Sequence, residues 1–283
     1  MSDFSSWIGR EEQRSDSIDG GHLTRWLATL DRAAPADGSV PQAFHWCLCL
    51  PDAPTAALGP DGHPRRDDSP ESFLPPVELT RRMWASSAVE FHAPLKVRAA
   101  VTCTSRISSI KAKQGGSGSL VFVEVAHEMH GESGLAVSET QSIVFKEAGP
   151  VGSPPVPAPS GEGRFDPSDW QAHRLIVPCE ALLFRFSALS FNSHRIHYDF
   201  AYATDQEGYR GLVVHGPLTA TLLLDLAARE FGDNAIKRFA FRGNSPGMCG
   251  DDLHLVLRRS GDEVELGAFA ADGRNVLSAT GTL

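Results

Sequence analysis

The chain repeats itself in outline, and that repetition restricts its folding more than any other feature. Near the middle lies "EAGPVGSPPVPAPSGEGRFDPSD" (147–169), rich in Pro, Gly and Ser, a composition that favours extended, poorly packed backbone. It divides the sequence into halves at 1–148 and 170–283, with a linker at 149–169. After it comes a helix candidate, "GPLTATLLLDLAAREFG" (216–232), with Pro217 suited to a first turn and Gly232 to a stop. Strand-like runs follow at 236–243, 252–260, 263–271 and 275–283, separated by turn chemistry such as "SGD" and "ADGR". Leu253, Leu255 and Leu257 alternate as in a sheet with one buried face. Before the linker the order is similar: "DGGHLTRWLATLDRA" (19–33) as a helix, then strands at about 86–92, 96–110, 118–130 and 135–146. "VEFHAPLKV" (89–97) parallels "FAFRGNSPG" (239–247), and "LAVSETQSIVF" (135–145) parallels "NVLSATGTL" (275–283). A matching order of elements points to internal duplication. One helix against long antiparallel strands is an α+β unit, and two such units can join into one continuous sheet, each covering an edge of the other.

Composition excludes several classes. With 41% hydrophobic and 22% charged residues the chain can fill a sizeable core, and a net charge of −9 leaves no basic footprint for nucleic acid. No apolar stretch approaches a membrane span, and "MSDFSSWIGREEQRSDSID" has no signal-like apolar region. The cysteines are odd in number (Cys47, Cys49, Cys103, Cys179, Cys249) and match no zinc spacing, which suggests a reducing, cytoplasmic setting. The stretch 35–85 has no partner in the second half. It contains "LGPDGHPRRDDSPESFLPP", which reads as a mobile loop or lid, or as a plain disordered excursion.

Chemistry concentrates at "SFNSHRIHYD" (190–199). His197 is the best candidate for proton transfer, since imidazole titrates near neutrality. Asn192, five residues earlier, can hold a water or a substrate group but cannot ionise. In an extended segment Asp199 would share a side with His197 and tune it. Gly216 opens the helix, where its N–H can face a carbonyl oxygen and strengthen its hold as charge develops there. The plainer readings are a structural histidine in a surface loop and a tight turn into a buried helix.

"FNSHRIHYDFAYATDQEGYRGLVVHGPL" (191–218) resembles the signature of MaoC-like (R)-specific enoyl-thioester hydratases and dehydratases. That signature is an Asp and a His five residues apart, a tyrosine/alanine stretch, then "HG" opening the hot-dog helix. "WIGREEQRSD", "FLPPVEL" and "RRMWASSAVEFHAPLKV" resemble the N-terminal half of the two-domain branch, so the likeness covers nearly the whole chain. It implies a double hot-dog, with two long helices each wrapped by an antiparallel sheet that runs on across the halves. His197 would be the catalytic histidine, Gly216 the amide on the thioester carbonyl, and Asn192 would stand where the family has its acid. The N-terminal half would be non-catalytic, shaping the acyl and CoA site.

The implied reaction is reversible hydration of a 2,3-unsaturated acyl-CoA, with no metal or organic cofactor beyond the CoA of the substrate. Within the branch, a short branched or C4-dicarboxylic acyl group (mesaconyl-C4-CoA or itaconyl-CoA type) is favoured over a fatty 3-hydroxyacyl thioester. Arg195, His194 and His215 would contact substrate, and Arg185 also lies near in sequence. Arg fits a carboxylate through its planar fork. Arg65, Arg66, Arg81 and Arg82 are candidates for the CoA phosphates. The rivals are a non-catalytic acyl-thioester binder and a thioesterase, for which Asp225 lies far into the helix. A fused pair leaves both a monomer and a homodimer open.

Overall fold

The computed structural model describes residues 4–115, 118–147 and 163–283. Ten strands form one antiparallel sheet. In the first half these are β1 (Glu11–Ser17), β2 (Arg81–Phe91), β3 (Ala100–Gly115), β4 (Gly118–Gly131) and β5 (Gly134–Lys146). The second half supplies β6 (Ala172–Ile176), β7 (Arg238–Gly243), β8 (Leu253–Ser260), β9 (Glu263–Ala270) and β10 (Asn275–Thr282). The order across the sheet is β1-β3-β4-β5-β2-β7-β10-β9-β8-β6. Read outward from the centre, both halves run in the same sequence. They join where β2 pairs with β7, with Val89 opposite Phe239 and Ser86 opposite Arg242. The continuous sheet expected from the duplicated sequence is therefore present.

Alternation located the eight inner strands and missed the two edges. β1, "EEQRSDS", has no apolar period because an edge strand does better with charge than with a sticky face. The segment at 96–110 enters its strand at Ala100, since Arg98 takes a left-handed turn (φ 72°) and Ala99 N–H bonds back to Lys96.

The helices differ more from expectation. α1 (Gly20–Thr29) and α2 (Glu180–Leu189) are short, pack on each other and occupy equivalent places after β1 and β6. α3 (Gly216–Phe231) is the long helix of the second half. Among the described residues the first half has no counterpart of that length. A one-turn 3-10 helix, Phe44–Cys47, follows the Ser39–Lys96 bridge much as α3 follows the Val213–Met248 bridge. Left-handed Ala43 and Cys49, then Pro51 and Pro54, prevent it from propagating. α1 thus corresponds to α2, and 19–33 is not the partner of 216–232.

α3 is buried all round from Leu218 to Ala227, which is why its sequence is apolar on every side. Its one buried acid, Asp225, is held by three arginines. Oδ2 accepts from Arg174 (2.7 Å) and Arg229 (2.9 Å), while Oδ1 faces Arg32 at 3.6 Å. A carboxylate so enclosed has no water to aim, which removes the thioesterase reading of Asp225.

Most of the linker lies outside the described residues. Its end is anchored: Phe165 N–H bonds Ala271 O (2.9 Å) and its ring stacks on Phe269 at 4.7 Å. The stretch 35–85 is packed rather than a free lid. Phe44, Trp46 and Cys47 are in the main core, and the turn at 59–63 lies against residues 193–195. Ser193 Oγ donates to Gly62 O (2.5 Å) and Arg195 N–H to Asp61 O (2.9 Å). Gly62 has φ +87°, and a Cβ there would fall 1.9 Å from Ser193 O, so a larger residue would push the two loops apart.

Candidate active site

The loop after α2 is a short turn, not a strand. Asn192 accepts the backbone N–H of His194 on Oδ1 (3.0 Å), and a 3-10 turn at Arg195–His197 follows. Curling carries Asp199 away from His197, against the extended-segment expectation. Asp199 instead accepts Tyr202 N–H (3.0 Å) at the start of the irregular π-helix Tyr202–Gln206, and receives Arg195 Nη2 at 2.6 Å.

His197 is buried, and its Nδ1 lies 2.7 Å from Val213 O. A carbonyl can only accept, so the proton is on Nδ1 and Nε2 carries the free lone pair. Burial, with the charge of His63 adding to it, lowers the imidazole to about 4 against the pull of the Val213 bond. The ring is therefore neutral near pH 7, ready to take a proton.

Around it stand other imidazoles. His215, the residue before α3, stacks on His197 at 3.5 Å and meets Ser187 Oγ through Nε2 (2.8 Å). Its buried Nδ1 has no partner, and burial holds it well below the ordinary range. His194 lies edge-on to His197 at 5.6 Å and is pushed down to about 2, by burial first and then by His63 and His197. His63 lies tilted against His194 with ring centroids 4.2 Å apart, and its Nδ1 meets Asp61 Oδ2 at 3.0 Å. Burial alone would raise Asp61, but the bond and charge of His63 outweigh it and hold the carboxyl at about 2. Ligand atoms of Asp61, His63 and His194 lie within 4.8 Å of one another. Asp61 and His63 face each other as a hydrogen-bonded pair, with the His194 ring tilted against His63.

Gly216 begins α3 beside His215. A helix's first N–H groups have no carbonyl inside it, and Pro217 brings none of its own. A Cβ at Gly216 would meet nothing within 4 Å, so the space beside its Cα is open and a ligand can approach the backbone there. The structure thus brings His197, His215, His194, Asn192 and Gly216 into one neighbourhood.

Arg195 does not offer a free fork. Nε and Nη2 bind Asp199, Nη1 donates to Pro60 O (2.9 Å), and the guanidinium covers Tyr202 at 4.3 Å. Arg65 donates to Leu58 O, Arg66 to three carbonyls at 77, 79 and 80, and Arg81 pairs with Glu207. Those internal bonds leave these three little to give a phosphate. Arg82 differs: it is half-buried and has no hydrogen-bond or ion-pair partner among the described residues. It sits opposite buried Phe145 on the inner sheet face and interacts electrostatically with Asp61, Arg66 and His194. Arg185 is exposed on α2 and lines a cleft of about 1000 Å³, together with Arg14, Arg25, Phe184 and Phe191. Asp61 and His63 were not singled out as site residues from the sequence. The signal was Asp-Gly-His between prolines, a tight-turn pattern (His63 N–H bonds Asp61 Oδ1 at 3.1 Å) hidden in what reads as a mobile loop.

Solved structures share this architecture. One described as a MaoC-like dehydratase superposes with a TM-score of 0.73 at 16% identity, over 98% of both chains. A Mycobacterium tuberculosis protein described as having a double hotdog fold gives 0.56 at 13% identity, over 97% of this chain and 95% of its own. The protein is a double hot-dog of the MaoC-like kind. Residues 43–249 match the model of the family hydroxyacyl-thioester dehydratase type 2. A mesaconyl-C(4)-CoA hydratase from Chloroflexus aurantiacus is 42% identical over 98% of this chain and 97% of its own length. The chain belongs to the hydroxyacyl-thioester dehydratase type 2 family, and it is a hydro-lyase.

Proposed function

We propose that the protein reversibly hydrates the Cα=Cβ bond of a C4-dicarboxylic acyl-CoA, of mesaconyl-C4-CoA or itaconyl-CoA type. One observation carries this reading. His197 is a buried neutral base whose tautomer is fixed by Val213 O, in the same neighbourhood as a helix-initial glycine with open space beside its Cα. In hydration, Gly216 N–H holds the thioester oxygen and stabilises the enolate charge that forms there. His197 Nε2 takes a proton from the water whose oxygen bonds to Cβ. Asn192 positions that water through its amide nitrogen, because its oxygen is engaged by His194 N–H. No metal or organic cofactor is called on.

The acyl carboxylate falls to Arg82 in place of Arg195. A shielded guanidinium without a hydrogen-bond or ion-pair partner among the described residues is stabilised by an anion, and Arg82 lies on the His194 side of the site. The relative's name supports the same acyl class. The arginines and aromatic rings of the cleft between α1 and α2 suit the CoA nucleotide. Residues 170–283 form the catalytic half and 1–148 a half without a catalytic set of its own, joined by 149–169. In the first half the buried acid Glu139 is enclosed, accepting Trp46 Nε1 (3.0 Å) and Ser87 Oγ beside His45. Both halves of the site belong to one chain, so a homodimer would join complete units. Among the described residues no helix is long and apolar enough to cross a membrane, and the reading places the enzyme in the cytoplasm.

A fatty-type 3-hydroxyacyl-thioester dehydratase is the alternative within the same chemistry, favoured by the family match. The test follows alkene absorbance and free thiol together with mesaconyl-C4-CoA, itaconyl-CoA and crotonyl-CoA. Alkene loss without thiol, fastest with a dicarboxylic substrate, is the expected result. Thiol release, or no reaction with any of them, would overturn the reading, and His197→Ala should abolish turnover while leaving the fold intact.

A further inference from the structure

Hydration needs two proton transfers: one from the attacking water, and one onto Cα. His197 can perform the first. Where the family signature has an ionisable acid this chain has Asn192, whose amide never ionises and whose oxygen already accepts His194 N–H. After the first transfer His197 would carry a positive charge while buried and stacked 3.5 Å from His215. Neither His215 nor His194 can hold that charge, since burial keeps both neutral. One imidazole in the cluster has a counter-ion: His63, 3.0 Å from Asp61. The turn that bears this pair is fastened to the catalytic loop by Ser193 and Arg195, at a glycine that nothing larger could replace without moving the loop.

We propose that the Asp61–His63 pair, contributed by the first half, is the second acid–base group of the site and stands in for the missing carboxylate at 192. The inference rests on the hydratase reading. In hydration the water oxygen bonds to Cβ and its proton goes to His197 Nε2. The alkene electron pair moves onto the thioester oxygen, giving an enolate at Gly216 N–H. The His63 imidazolium then gives its proton to Cα as the enolate electrons form the new C–H bond. Finally His197 releases its proton to solvent and His63 takes one up from it, so both groups are restored. Dehydration is the reverse. The groups that face the pair are His194 and His197 from the catalytic loop, Arg66 and Arg82 on the β2 side, and Tyr202. Asp61 is the one anion among them, so it sets where the positive charge resides.

The test uses the full chain with His63→Gln, Asp61→Asn and Asp61→Glu, measuring hydration kinetics from about pH 5 to about pH 9. His63→Gln should lower kcat by about 10²- to 10⁴-fold, the usual range for a lost acid–base group, with KM changed only a few-fold. Its pH profile should differ in shape from that of the wild type. Asp61→Asn should lower kcat by a smaller factor, and Asp61→Glu should recover part of it. Added imidazole should restore part of the activity of His63→Ala. The proposal is overturned if His63→Gln keeps kcat within a few-fold. It is equally overturned if kcat falls with an unchanged profile and a matching loss of thermal stability, which would make the pair structural. A wild-type protein that hydrates none of the substrates would instead defeat the hydratase reading itself.

Discussion

Acidification should unfold this protein partly through His197. Its imidazole sits at about 4 in the folded chain, against about 6.5 in an unfolded one, because the neutral ring is buried. Between those values the unfolded chain binds a proton that the folded chain does not. Stability from this source is therefore fully present above about 6.5 and is lost as pH falls toward 4. The whole gap is worth about 3 kcal/mol, of which about 2 kcal/mol is gone by about pH 5. His197→Asn tests the point, because its amide nitrogen occupies the place of Nδ1 and can still donate to Val213 O but cannot titrate. Urea unfolding of both proteins at about pH 7.5 and about pH 5 gives the comparison, and carboxylates common to both cancel in the difference. The wild type should lose about 2 kcal/mol more than the variant over that interval. Parallel losses would mean that the His197 ring is not held neutral by burial, and the assignment of Nε2 as a ready base would fail with it.

Arg82→Met should raise KM for a dicarboxylic acyl-CoA at least about ten-fold more than for crotonyl-CoA, about the loss of one charge-assisted bond. Equal effects on the two substrates, read in the alkene assay, would remove the carboxylate role. Gly62→Ala forces a side chain into left-handed backbone 1.9 Å from Ser193 O, so it should cost about 2 kcal/mol or more and lower kcat by displacing the catalytic loop. Denaturation midpoints and turnover would register it, and a variant normal in both would show that the two loops are not tightly coupled. Asp225→Asn leaves Arg32, Arg174 and Arg229 facing a neutral amide and should destabilise by about 3–5 kcal/mol. Unchanged thermal unfolding would show that the arginines find water instead.

Much of this molecule was legible without coordinates. Period-two alternation needs only a sheet with one buried face, so β2–β5 and β7–β10 could be located from spacing alone. The repeated order of elements pointed to one continuous sheet, and the fold places the join between β2 and β7. His197, Asn192 and Gly216 stand out because their chemistry is local: a histidine at a fixed interval from an amide, and a glycine at a helix start. Other features depended on where distant backbone segments come to rest. Whether residues 44–47 extend into a long helix turns on backbone angles at Ala43 and Cys49, to which apolar spacing is blind. Arg195 and Arg82 are the same residue type, yet one finds Asp199 four residues away and the other finds no hydrogen-bond or ion-pair partner among the described residues. Asp61 and His63 lie more than a hundred residues before the loop they serve, inside a stretch whose composition says only that it turns. Pattern follows from burial, which each residue carries with it; the ownership of a charge is settled by what the fold places next to it.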